Sequence, residues 1–281
     1  DIAIIGMNGR FPDATSVDVF WENILAGVES VEELSDEQLL ADGVPEEDVK
    51  NPSYVKRRVK YEGRHSFDNT FFNINTKTAA AMDPQNRILL ECAFHCLEDA
   101  GYPELSPDCR TGVYVGKSSG LYWAQYMLAG NDGNDSSNML AKLTQVEKDF
   151  LATNISYHLN LTGPSINVAT ACSTSLVTVI EACKGLILGE CDMALAGGVS
   201  VLPQASKGYL HQQGFIESKD GHCRPFDKNA SGIVAGSGAG LVMLKRRVDA
   251  ERDGDRIYGL IRGWGMNNDG AAKSSYTAPS V

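Results

Sequence analysis

The chain has 281 residues, enough for one large α/β domain or two small ones, and its 43% hydrophobic and 22% charged residues are ordinary for a globular protein. Its net charge of -11 argues against nucleic acid and anionic membranes as partners, though it leaves room for a local basic patch. Seven cysteines at irregular spacing fit the thiols of a reducing cytosol better than a disulfide framework.

No apolar run reaches about 18 residues, so no membrane span is expected. The opening DIAIIG has no basic flank and does not look like a signal peptide. It also lacks an initiator Met, so the chain is expected to be cut from a longer one.

In chain order, Ile2 to Ile5 read as a short buried strand ended by Gly6. Val17, Phe20, Trp21, Ile24 and Leu25 follow helical spacing, with Ser16 as cap and Gly27 as stop. Residues 29–60 are charged and weakly periodic, a surface excursion with some helix. Asp83 and Pro84 suit the start of a helix whose apolar stripe is Ile88, Leu89, Cys92, Ala93, Cys96, Leu97 and Ala100, closed by Gly101. TGVYVG at 111–116 reads as a strand, 130–137 as a loop and 146–159 as a helix. After Gly163-Pro164 come a short strand at 165–168, a nearly all-apolar helix at 173–188 and a buried strand at 191–199. Small residues at 231–240 precede the strand-like LVMLK, and 256–264 begin one more strand. Strands alternating with helices, several of them apolar without alternation, predict a mostly parallel sheet covered on both faces. A helix apolar nearly all round, as 173–188 is, belongs in an interior.

The strongest local signal is GPSINVATACSTSL at 163–176. A strand runs into a turn of small residues and a helix starts at once, which is the layout of a nucleophile elbow with Cys172 in the turn. Small neighbours, Ala169, Ala171 and Ser173, let a substrate carbonyl approach. Free amides at the helix start can hold an oxyanion. The positive end of the helix dipole favours thiolate over thiol. The plainer reading is that Cys172 is a small buried hydrophobe, as most lone cysteines are. The strand–turn–helix context favours the nucleophile.

Residues 163–176 resemble the active-site stretch of β-ketoacyl synthases. So do DIAIIGMNGRFP with the Phe20-Trp21 pair, MDPQNRILLE at 82–91, GHCRPFD at 221–227, GSGAG at 236–240, and NNDGAAK with TAPSV at the end. The motifs run in family order from end to end, in the style of the ketosynthase domain of modular polyketide synthases. The resemblance implies a thiolase-like α/β fold layered α-β-α-β-α, with 1–245 as the N-terminal half and 246–281 as the start of a truncated C-terminal half. It implies that Cys172 accepts an acyl chain from the phosphopantetheine of an acyl carrier protein. A malonyl-type extender would then lose carbon dioxide and attack the thioester in a decarboxylative Claisen condensation. Ala171, Ser173, Phe226 and Asp269 are implied as pocket or gating residues, with core structure or an ordinary Asp-Gly turn as the alternatives at the last two. The expected partners are the carrier protein, a second copy and neighbouring synthase domains, in the cytoplasm, with no directly bound cofactor, metal, nucleic acid or membrane.

The sequence departs from the family pattern in two ways. Neither an HGTGT-type nor a KxxxGH-type histidine motif is present, and none of His65, His95, His158, His211 and His222 is assigned a catalytic role. Losing such oxyanion donors typically costs about 10²-fold or more each, so the chain alone is not expected to condense efficiently. Ala169 stands where family members often carry Asp, and Thr174 where they often carry Ser. The alternatives are a catalytically silent docking or dimerisation element, another thiolase-fold acyltransferase, or a cysteine acyl-hydrolase. Cys92, His95 and Cys96 share about one helical turn but read as core rather than a metal site. GSGAG reads as close backbone packing near the active-site wall, and Lys56, Arg57, Arg58 and Lys60 as a solvated face rather than a carrier-docking patch.

Overall fold

The computed structural model describes residues 1–103, 109–120, 136–202, 206–276 and 278. Its strands are β1 (Ile2–Arg10), β2 (Val31–Glu33), β3 (Tyr54–Val55), β4 (Arg57–Val59), β5 (Thr111–Lys117), β6 (Ser165–Asn167), β7 (Met193–Ser200), β8 (Tyr209–Leu210), β9 (Gly238–Arg246) and β10 (Gly259–Ile261). Its helices are α1 (Val17–Leu25), α2 (Asp36–Ala41), α3 (Glu46–Val49), α4 (Thr76–Ala81), α5 (Pro84–Asp99), α6 (Ser136–Val146), α7 (Leu151–Leu159), α8 (Thr174–Leu188) and α9 (Arg247–Asp253). The loop read at 130–137 falls mostly outside the described residues, and its last two residues open α6.

Six strands form one sheet in the order β10-β1-β9-β7-β5-β6. Period-two alternation sorts their side chains onto two faces. Ala3, Ile5, Val113, Val115, Met193, Leu195, Leu241 and Met243 join the larger core under α5 and α7. Ile2, Tyr114, Ala194, Ala196 and Leu244 join the smaller core under α8. The result is a helix–sheet–helix sandwich, three of the layers expected.

The sheet is mixed. β5 runs parallel to β6 and β7, as expected, but β9 is antiparallel to β7 and to β1, and β10 is antiparallel to β1. An apolar strand buried on both faces reports its burial and not its direction, so the sequence pattern could not separate these cases. β1 also runs on past Gly6, with a bulge between Ile4 and Gly6. Gly6 lies inside the strand because α5 presses on it there: a Cβ would sit 2.7 Å from the Cys96 carbonyl oxygen.

Helix ends follow the signals read for them. Ser16 Oγ accepts from Val19 N at 3.3 Å, and Asp83 accepts from Gln85 N at 2.9 Å with Pro84 in the first turn. Gly27 and Gly101 leave their helices with φ +65° and +80°. The excursion at 29–60 has its own small core of Leu34, Leu39, Val44 and Val49.

Two expectations need correction. Residues 171–188 are, by length and composition, long and apolar enough to cross a membrane, although they pack on the sheet here. The helix is also not buried all round. Val177, Ala182, Cys183 and Leu186 face the sheet, while Leu176 and Leu188 are each 72% exposed, because the sheet covers only one side.

Candidate active site

Cys172 lies in a 3-10 turn, Ala171–Ser173, that runs directly into α8, so the sulfur stands where a helix begins. Cys172 is exposed rather than buried among apolar groups. The turn is held on every side. Val168 N donates to Val115 O at 2.9 Å, fixing the incoming chain to β5. Asn167 Oδ1 accepts from Ala152 N at 2.9 Å, and its Nδ2 donates to Asp149 O at 2.7 Å, fastening β6 to the start of α7. Ala171 has φ 52°, a left-handed conformation uncommon for a residue with a Cβ. Ser173 is the N-cap of α8 but makes no side-chain cap bond, so no hydroxyl of its own closes the amide end of the helix.

Glycine lets the elbow sit this close to the sheet. A Cβ on Gly116 would lie 2.3 Å from both Thr174 Cγ2 and the Val168 oxygen. In register with Gly116 are Gly198 on β7, Gly240 on β9 and Gly9 on β1, a row of four across four strands. Gly240 belongs to the GSGAG segment, which packs as close backbone: a Cβ on Gly197 would lie 2.1 Å from the Gly240 oxygen.

Beside Gly116, Lys117 ends β5 in a buried polar knot. Its Nζ donates to Asp83 Oδ2 at 2.9 Å, Asn86 Oδ1 at 2.8 Å and the Val146 oxygen at 2.6 Å, which uses all three ammonium protons. Lys117 and Asp83 side chains are each 1% exposed, and burial pushes the ammonium down despite the carboxylate beside it. The pair ties the start of α5 to the strand under the elbow. Sequence reading missed this knot and the hydroxyl contacts of Thr174. The available signal was a lysine directly after an apolar strand, with an acidic N-cap upstream to match it.

The other residues singled out in the sequence fall as follows. Ala171 and Ser173 flank Cys172 in the turn. Phe226 lies in a separate turn, left-handed at φ 61°, and its side chain is wholly exposed among the described residues. Asp269 sits in an exposed turn 3.7 Å from Lys273, with Gly270 N donating to Asn268 Oδ1 at 2.8 Å. Cys92 and Cys96 are buried in the core under α5, where burial pushes the Cys92 thiol up to about 12, while His95 turns outward to Glu98 at 2.7 Å. The three do not converge on one point. His222 is engaged by Glu29 at 2.5 Å. Each cation of the basic run has its own acid: Lys56 with Asp36, Arg57 with Glu33, Arg58 with Glu32 and Asp42, Lys60 with Glu62.

A mixed sheet between helical layers, with a cysteine at the strand-to-helix turn of its parallel part, is the thiolase-like class of fold. Comparison with known proteins narrows the class. The model of the β-ketoacyl synthase N-terminal domain matches residues 1–250, and the chain belongs to that family. It is 46% identical over 285 residues to a phenolphthiocerol/phthiocerol polyketide synthase polypeptide of Mycobacterium tuberculosis, covering 99% of this chain and 19% of that one. It is 41% identical over 280 residues to polyketide synthase PksN of Bacillus subtilis, covering 100% of this chain and 5% of that one. Among solved structures, ketosynthase twelve of the bacillaene polyketide synthase from Bacillus amyloliquefaciens superposes with a TM-score of 0.91 at 39% identity. That match covers 99% of this chain and 49% of the ketosynthase, so the chain spans about half of that structure.

Proposed function

We propose that this chain is the nucleophile-bearing half of a polyketide-synthase ketosynthase, and that Cys172 carries the growing acyl chain. The observation that carries the reading is the exposed Cys172 at the apex of a turn feeding an uncapped helix start. In the first step the Cys172 sulfur attacks the thioester carbonyl of an acyl group borne on the phosphopantetheine of a carrier protein. A new C–S bond forms at Cys172, the old one breaks, and the phosphopantetheine thiol leaves with the proton. Amides at the start of α8 and the positive end of its dipole suit the oxyanion and the thiolate. In the second step a malonyl-type extender on the carrier loses carbon dioxide. Its carbanion attacks the Cys172 thioester, giving a β-ketoacyl product and returning the sulfur as leaving group. That step calls for donors at the malonyl carbonyl, which the family supplies from histidines in motifs that this sequence lacks. Activity of the chain alone is therefore limited to accepting the acyl group.

Ala171 and Ser173 would border the acyl thioester. Phe226 and Asp269 would reach it only from loops that the other half of the enzyme orders. That half would begin after residue 245, and in support of this boundary the N-terminal family model stops at residue 250. The exposed apolar side of α8 is the face such a half would cover. A homodimer is favoured by β6, which among the described residues pairs with β5 alone, stands at the sheet edge and leaves Ile166 42% exposed. The carrier protein would dock elsewhere than on the basic run, whose charges are already paired. Cytoplasmic residence, away from membrane and nucleic acid, fits the net charge of -11 and the free thiol state of all seven cysteines.

The test is intact-mass analysis after incubation with an acyl thioester. The acyl mass should appear on Cys172 and vanish in Cys172→Ala. Labelling at another residue would sink the assignment, and release of free acid would point to a hydrolase. The absent histidine motifs favour one second reading, a silent docking element, for which Cys172 would take no acyl group at all.

A further inference from the structure

We infer that Thr174 is a positioning residue for Cys172, its hydroxyl closing the elbow that holds the sulfur. The inference deepens the proposed function and rests on it for its chemical meaning.

Six residues, 168–173, separate the last residue of β6 from the first of α8; Val168 N holds the incoming end to β5, and backbone bonds from Ser173 N to the Thr170 oxygen at 3.3 Å and from Thr174 N to the Ala171 oxygen form the 3-10 turn at the apex. One hydroxyl spans it. Thr174 Oγ1 accepts from Thr170 N at 3.0 Å and donates to Ala171 O at 2.8 Å. It thereby satisfies a donor and an acceptor on the incoming limb while standing on the outgoing one, with Cys172 between. The neighbouring hydroxyl adds a second clasp: Ser173 Oγ donates to Thr170 O at 2.9 Å and lies 3.0 Å from Thr170 Oγ1. Both hydroxyls turn back onto the turn, and Ser173 makes no cap bond to the helix, so the clasps do not occupy its first amides.

Two further features make Thr174 the more consequential of the pair. Ala171 is held left-handed at φ 52°, a state that persists in a residue with a Cβ only where its surroundings enforce it. Its carbonyl takes two bonds from Thr174, one from the backbone N–H and one from the hydroxyl, and the hydroxyl alone also reaches Thr170 N. The Thr174 methyl, in turn, rests against Gly116, where an added Cβ would lie only 2.3 Å away. A β-branched side chain has few χ1 choices, and a methyl seated on the sheet leaves the hydroxyl aimed at the turn. The sheet thus sets the rotamer, the rotamer sets the hydroxyl, and the hydroxyl sets the limb that carries the sulfur.

The experiment compares wild type, Thr174→Val and Thr174→Ser in the whole encoded polypeptide. Valine keeps the shape and removes the hydroxyl; serine keeps the hydroxyl. Limited iodoacetamide labelling, read by peptide mass spectrometry, gives the ratio of modification at Cys172 to that at Cys223, an exposed thiol outside the site. Transfer from an acyl thioester to Cys172 is timed in parallel. Thr174→Val is expected to lower both the labelling ratio and the acyl-transfer rate by about tenfold, and Thr174→Ser to restore each to within about threefold of wild type. A Thr174→Val protein with wild-type ratio and rate, or a Thr174→Ser protein as slow as the valine variant, would overturn the inference. Should the valine variant fail to fold by circular dichroism, Thr174→Ala takes its place with the same expected loss and the same overturning result. Wild-type protein that alkylates at Cys172 yet accepts no acyl group would overturn the proposed function instead, and the labelling ratio would still decide the role of Thr174.

Discussion

A methyl group added at residue 116 has nowhere to go, since Thr174 Cγ2 and the Val168 oxygen both lie 2.3 Å from where it would stand. Both neighbours belong to the elbow, so relief can come only by moving the segment that carries Cys172. Gly116→Ala is expected to destabilise the fold by about 1–3 kcal/mol, the usual range for overpacking, and to slow acyl transfer to Cys172 by about tenfold or more. Thermal melting and timed acylation measure the two effects, and a variant that loses stability but acylates normally would contradict the coupling. A second residue, an exposed carboxylate, contributes to acid sensitivity. The Ser218 hydroxyl, working against desolvation and helped by Arg224 and the His222 amide, holds the Asp220 carboxyl well below the usual carboxylate range. The unfolded chain then binds the proton more readily than the folded one. The contribution is complete above the unfolded value of about 4 and is lost as pH falls toward the folded value. Melting temperature should therefore drop below about pH 4, and Asp220→Asn should flatten that drop. An unchanged acid limb in the variant would refute the assignment.

At the level of elements, α5 was legible from Asp83, Pro84 and the stripe that ends at Ala100, because caps and a 3.6-residue period are local signals. The elbow was legible for the same reason: Gly163-Pro164, a short apolar strand and an immediate apolar helix are contiguous in sequence. Strand direction was not legible, since β9 and β1 are buried on both faces just as β5 and β7, which pair in parallel, are. Nor was the inner position of Gly6, which depends on the approach of α5 from 90 residues away. Of the Lys117–Asp83 knot only the two charges were signalled in sequence, because its other partners, Asn86 and the Val146 carbonyl, meet them only once α5, β5 and α6 are packed. Within the site, Cys172 and its two neighbours could be named from sequence. The Thr174 hydroxyl bonds could not, because they depend on a left-handed Ala171 that no local pattern announces.

Among the described residues, the outer side of α8 and one side of α1 carry exposed apolar side chains. Leu176, Ile187 and Leu188 line the outer side of α8, and Trp21, Ile24 and Leu25 stand out from α1 at 57%, 51% and 69% exposure. Contiguous exposed apolar surface on this scale marks an interaction face. The isolated chain should therefore self-associate, and size-exclusion chromatography should show species larger than a monomer that shrink in an Ile187→Glu, Leu188→Gln double variant. A sharp monomer peak for the unaltered chain would contradict this. The four aligned glycines bear on how such a sequence can drift. Every amino-acid replacement of glycine adds at least one carbon, and the two ends of the line, Gly9 and Gly116, have atoms within 2.6 Å of the place that carbon would take. At Gly116 one of those atoms is the backbone oxygen of Val168, whereas at Gly9 they are the tip of the Phe11 ring; at Gly198 the nearest atom, the Gly116 oxygen, stands at a tight 3.1 Å, and at Gly240 the nearest stands at an ordinary 3.6 Å. Inheritance at this face is therefore most conservative beside the sulfur and loosest at Gly240.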